Sequence, residues 1–180
     1  MGRLGAMSER HWPELLRQIP SAEFEKLAIL RVLECSNGMI QLRFREGHPD
    51  ALNVDDTRRA MQFSMRCIKT MEIPLGDEIV RFDSATQDFL QEIRTLYVDG
   101  IKRNHSGSRS EFFRASRANL EAIGHERLKR AHRRLFADCY DLPVHTLDWG
   151  MDYINDFLTP ARQTRAETAQ GKSTTEHSKG

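Results

Sequence analysis

Ten Lys or Arg side chains fall between residues 102 and 134, at 102, 103, 109, 114, 117, 127, 129, 130, 133 and 134, against three acids, Glu111, Glu121 and Glu126. That stretch carries +7 in a chain whose net charge is +1, so the remainder is acidic. Massed guanidinium and ammonium groups recognise oxyanions, either nucleic-acid phosphates or the carboxylates of an acidic protein. The densest part is His125 to Cys139. At 100° per residue, Leu128, Ala131, Leu135, Phe136 and Cys139 define its apolar side, and Arg127, Lys129, Arg130, Arg133 and Arg134 fill the other half. Arg130 with Arg134, and Lys129 with Arg133, are like-charged i,i+4 pairs, which weaken a helix unless something neutralises them. Phosphates or an acidic protein would do so, as would carboxylates elsewhere in the fold, such as Glu121 or Asp138.

The other chemistry-bearing residues read as structural. His125, His132 and Cys139 recur every seventh residue, but seven residues rise about 10.5 Å along a helix, too far to share a metal. With Leu128 and Leu135 they form a packing seam, and two histidines at its edge suggest a pH-sensitive contact. Ser106 and Ser108 beside His105 belong to a capped turn, Asp55-Asp56 to a helix start, and Asp148 with Asp152 to an exposed face. There is no phosphate-loop, dinucleotide, zinc-protease or nucleophile-elbow motif. The expectation is no catalytic residue, no metal and no cofactor. Cys35, Cys67 and Cys139 lie far apart without a C-x-x-C pair, which suits reduced, buried thiols.

Apolar residues make up 39% of the 180 and charged ones 29%, the balance of a protein with a real core. Apolar runs are far too short for a membrane span, and MGRLGAMSER lacks the apolar heart of a signal peptide. A cytoplasmic protein is expected, with a flexible N-terminus over 1–10, one compact helical domain over 11–160 and a disordered polar tail over 161–180 that folding does not need.

The elements that must carry the basic stretch are mainly α-helices, about six of them, with a small two-stranded β element, α+β at the margin. Trp12 to Ile19 reads as a short helix stopped by Pro20, and Ser21 as the cap of the next. Leu27 to Cys35 reads as a buried helix capped by Asn37-Gly38, or as a strand with Asn37-Gly38 as a hairpin turn; helix is favoured. Met39 to Arg45 alternates apolar and polar residues and reads as a strand. Its expected partner is Glu78 to Phe82, beyond a helix from about Val54 to Met71 that Pro74 and Gly76 end. Ser84 with Gln87 opens an amphipathic helix lined by Phe89, Leu90, Ile93, Leu96, Tyr97 and Ile101. Asn104 to Ser108 is a turn, and Ser108 with Glu111 caps a helix whose stripe is Phe112, Phe113, Leu120 and Ile123. Gly124 either breaks that helix or is tolerated within a longer one. Thr146 caps a last helix facing inward with Leu147, Met151, Ile154, Phe157 and Leu158 and stopped by Pro160.

The run EKLAILRVLECSNGMIQLRF resembles the helix-then-strand segment of the smaller subunit of the bacterial flagellar master activator, which implies a transcription-regulator setting. A standard helix-turn-helix register around Gly124 fails, because it would bury Arg130 and Arg133.

The function these residues suggest is DNA-binding regulation, with Arg127, Lys129, Arg130, Arg133 and Arg134 on the contact helix and Lys102, Arg103 and Arg109 touching phosphate. The alternative is a non-enzymatic interaction protein, an adaptor, chaperone or antitoxin-like chain, docking an acidic protein. A homodimer is expected, with Phe136, Trp149 and Tyr153 near its interface.

Overall fold

In the computed structural model the described residues are 16–103, 117 and 119–159, with the backbone alone for 94–103. Among them the chain is mainly α-helical with one two-stranded antiparallel sheet. None of these helices is long and apolar enough to cross a membrane.

Helix α1, Ser21–Glu46, is the element against which the helices Val54–Thr70 and His125–Asp138 pack. It runs straight through Asn37-Gly38, so the strand expected over Met39–Arg45 does not form, and neither does the helix-then-strand arrangement read into this run. The reason is long-range burial. Leu27, Leu30, Leu33, Asn37 and Ile40, three or four residues apart, form one buried row. The alternation that suggested a strand is incidental: Ile40 is fully buried, while Leu42 and Phe44 are more than 40% exposed. Ser36 satisfies its hydroxyl by donating to the Val32 carbonyl (2.8 Å). Ser21 is the first helical residue rather than the cap; Pro20 holds that position. The helix stops at Gly47, which adopts φ +62°. Its N–H bonds the Phe44 carbonyl and that of His48 bonds the Arg43 carbonyl, a Schellman ending.

Helix α2, Val54–Thr70, returns alongside α1. The Asn53 side chain caps it by accepting from the Asp56 N–H (2.8 Å), and Ala60, Phe63, Ser64 and Cys67 face inward. Strands β1, Glu72–Leu75, and β2, Glu78–Arg81, form a hairpin across Gly76-Asp77. The second strand's partner is thus the Pro74 segment and not Met39–Arg45. Ile73, Leu75 and Val80 point into the core. Gly76 sits at φ +61°, and its N–H bonds the Asp138 carbonyl (2.9 Å). Helix α3 spans Ser84–Arg103, with Leu90 and Ile93 buried.

A helical turn over 119–123 leads to Gly124, whose φ of +90° breaks the helix there. Helix α4, His125–Asp138, then buries Leu128, Ala131 and Leu135. The last helix, α5, spans 144–159. Thr146 is not its cap: it is fully buried, and its hydroxyl donates to the Pro143 carbonyl (2.6 Å) from within the first turn. Leu147, Met151 and Ile154 are buried, with Phe157 and Leu158 packed at the edge. The expected turn at 104–108, the Ser108–Glu111 cap and Phe112-Phe113 lie outside the described residues, as do 1–10 and 161–180.

Candidate interaction surface

Helix α4 presents three flanks once its Leu128–Ala131–Leu135 stripe is buried. The first carries Arg127, Arg130 and Arg134, and carboxylates from distant elements meet it. Arg130 donates to both oxygens of Glu25 on α1, at 2.6 and 3.4 Å. That hydrogen bond, with the Glu25 charge, raises the Arg130 pKa above its ordinary value. Arg127 approaches the same carboxylate at 3.6 Å, donates to the Ile123 carbonyl at 2.9 Å, and lies 5.2 Å from the Phe24 ring. Arg134 pairs with Glu78 on β2 at 2.8 Å. The partners are therefore Glu25 and Glu78, rather than Glu121 or Asp138. They stand 105 and 56 residues away in sequence, and nothing local announces them.

The outward flank carries Lys129, Arg133 and Glu126. Lys129 lies 3.7 Å from Glu126 within its own helix. Arg133 is exposed, and no described carboxylate lies within ion-pair distance of it. Five cations thus stand against three carboxylates, Glu25, Glu78 and Glu126, leaving about +2 on this face by formal charge. All three carboxylates are substantially exposed (46%, 69% and 76%), so the pairs hold the arginines in place weakly and can be exchanged.

The third flank meets α5. His125 hydrogen-bonds Asn155 Oδ1, and His132 bonds Asp148 Oδ1 at 2.8 Å. Later residues of α4 meet earlier residues of α5, so the two helices run antiparallel, as the short connector between them implies. The His–Leu–His–Leu–Cys row is the seam of this pair.

Of the three residues expected at an interface, Trp149 is buried beneath the Arg43 guanidinium, which lies 4.1 Å from its ring centre. Tyr153 and Phe136 are exposed but on different helices; Phe136 neighbours the His132 ring (6.2 Å). The sequence reading missed that His145, Trp149, Tyr153 and Phe157 form one ridge at i,i+4 spacing along α5. His145 meets Trp149 edge-on and Tyr153 stacks on Phe157. Arg117 covers the far end, 5.1 Å from the Phe157 ring, and donates to the Phe157 carbonyl at 3.1 Å. The four-residue spacing was visible; the covering arginines were not.

Of the other expected phosphate contacts, Lys102 and Arg103 fall in the last turn of α3, where the backbone alone is described, and Arg109 lies outside the described residues. Cys67 and Cys139 are buried and Cys35 is half-buried; all three are free. Burial pushes the Cys35 and Cys67 thiols up to about 12, and raises that of Cys139.

No protein-family model, no curated protein and no solved structure matches this chain.

Proposed function

We propose that the chain is a non-enzymatic, cytoplasmic interaction protein whose α4 face docks an acidic segment of a protein partner. The observation that carries this reading is the placement of Glu25 against Arg127 and Arg130. This part of the face already accommodates a carboxylate, at donor distances a partner's Asp or Glu can reproduce. Lys129 and Arg133 beside it extend the cationic surface outward. The face offers about +2 after internal pairing, which suits a short acidic segment better than a polyanion that must be matched at several phosphates.

DNA binding stands as the second reading. It is favoured by the like-charged Lys129–Arg133 pair on the outward flank, and it adds Lys102, Arg103 and Arg109 as backbone contacts. Arg127, Arg130 and Arg134 would then exchange Glu25 and Glu78 for phosphates, which weak exposed pairs permit.

Fluorescence anisotropy with a labelled oligoglutamate peptide and a labelled DNA duplex, across a salt series, separates the two. The peptide is expected to bind, and Lys129→Glu with Arg133→Glu to abolish binding. The duplex is expected to bind more weakly, with a log–log salt slope of about −2, as two net charges give. A duplex bound more tightly than the peptide, with a slope near −5, overturns the first reading in favour of the second. Binding of neither probe overturns both.

A further inference from the structure

The outward row of α4 does not end with its cations. At 100° per residue, Lys129, Arg133 and Phe136 fall within an arc of about 60° over about 10.5 Å of helix. Phe136 is 48% exposed, and the chain just beyond it leaves Tyr140 80% and Val144 43% exposed before α5 turns inward. Three large apolar side chains thus surface close together in the chain, at the corner between α4 and α5. They adjoin Arg133, which no described carboxylate reaches. Single exposed apolar residues need no explanation, but a group of them beside a charged rim has the composition of a contact surface. The backbone that presents them is held in place. The Cys139 N–H bonds the Leu135 carbonyl (2.8 Å), the Asp138 carbonyl accepts from the Gly76 N–H (2.9 Å), and Leu142 and Leu147 are buried beside the exposed residues. Asp148, the α5 carboxylate bonded to this flank, is held by His132 at 2.8 Å.

We infer that this corner takes an apolar anchor from the same partner segment whose carboxylates meet Lys129 and Arg133. The occupant is an acidic segment of another protein that carries a large apolar residue, aromatic or branched aliphatic, directly beside its acids. This rests on the acidic-partner reading and deepens it, because it states what the partner must contain besides charge. Charge complementarity identifies the occupant: the apolar corner is continuous with a row of cations on the same side of one helix, so whatever covers the corner must also bring anions. The two parts contribute differently. Ion pairs at exposed positions steer and orient a partner but add little affinity. Burial of aromatic side chains, ordered before binding by a backbone already bonded in place, supplies most of it. An acidic segment without the anchor leaves Phe136, Tyr140 and Val144 in water and binds weakly.

Fluorescence anisotropy on the full chain with three labelled peptides tests this: oligoglutamate alone, and the same peptide with Leu-Trp added at one end or at the other. Oligoglutamate is expected to bind, and one of the extended peptides to bind at least about tenfold more tightly, as burial of one large apolar side chain gives. Phe136→Ser with Tyr140→Ser is expected to remove that gain, with the affinity for oligoglutamate and the helical circular-dichroism spectrum unchanged. Ile79→Ser, at an equally exposed apolar position on β2, is expected to leave the gain intact. If the double variant fails to fold, Tyr140→Ser alone, at the more exposed position, carries the test. Oligoglutamate binding with no gain from either extension, or a gain that survives in the folded double variant, overturns this inference and leaves the acidic-partner reading standing. Binding of none of the three peptides overturns both. A dimer in sedimentation equilibrium that the double variant separates assigns the corner to a second copy and likewise overturns the inference.

Discussion

Two glycines in helices have opposite roles, and the neighbouring atoms decide which. A Cβ added at Gly150 on α5 would lie 2.7 Å from the Ser36 backbone nitrogen and 2.9 Å from its Cα. The glycine is what lets α5 close on α1. Gly150→Ala is expected to cost about 1–3 kcal/mol, the usual cost of overpacking a rigid contact. Gly38, within α1, has nothing within 4 Å of an added Cβ, so Gly38→Ala is expected to stabilise by about 0.5–1 kcal/mol through helix propensity. Thermal denaturation of the two variants should move in opposite directions; a stabilised Gly150→Ala would mean that α5 does not approach α1 this closely. The cysteines give a pH signature. Cys35 and Cys67 have thiols raised to about 12 in the fold from an ordinary value of 9.0. A raised pKa means that the folded state favours the protonated thiol, so this contribution is complete below about pH 9 and is lost as pH climbs toward 12. Stability should fall over that interval, and replacing both thiols with Ala should flatten the fall, whatever the substitutions do to stability at neutral pH.

Helix α1 is fastened to its neighbours by side chains that sequence spacing does not connect. Glu23 is fully buried, and one of its oxygens accepts from Lys26 and from the Asp83 N–H, each at 3.2 Å. It thereby ties the start of α1 to the start of α3. Glu23→Ala removes that acceptor and the bonds it receives, so a loss of about 1–3 kcal/mol is expected, the range for hydrogen bonds to a charged group. Hydrogen exchange should show the change concentrated at Asp83 and the first turn of α3; uniform loss of protection would instead mark Glu23 as generally stabilising. Arg31 makes a comparable link, donating to Asn119 at 2.9 Å while holding Glu34 at 2.8 Å. The helices themselves follow from local rules. Asn53 caps α2, Gly47 ends α1 and Gly124 separates α4 from the turn before it.

Among the described residues, the segregation of charge along the chain is partly offset in space. The stretch from 102 to 134 is strongly basic by sequence, yet Glu25 and Glu78 fold onto its densest part. Removing this masking is the corresponding test. Glu25→Gln with Glu78→Gln is expected to increase affinity for both anionic probes and to steepen their salt dependence toward that of the unpaired cations. Unchanged affinity would place the binding surface away from α4.

The sequence by itself determined the mainly helical class, the amphipathic helices from Val54 and Ser84, the apolar stripe of α4 and the inward residues of α5. Each depends on periodicity within one segment, which the 3.6-residue repeat of a helix makes visible. The antiparallel pairing of α4 with α5 was also legible, because five connector residues permit little else. What only the tertiary structure decided were the features that the periodicity of a single segment does not reveal. Met39–Arg45 has a strand's alternation but is helical, because Asn37 and Ile40 are buried by elements packed on α1. Glu78–Arg81 pairs with the segment just before it, since a two-residue turn with glycine at positive φ closes that hairpin at little cost in chain entropy. The basic face of α4 is distinct in the sequence, but its charge in the folded protein depends on Glu25 and Glu78, whose approach follows from how α1 and the hairpin pack.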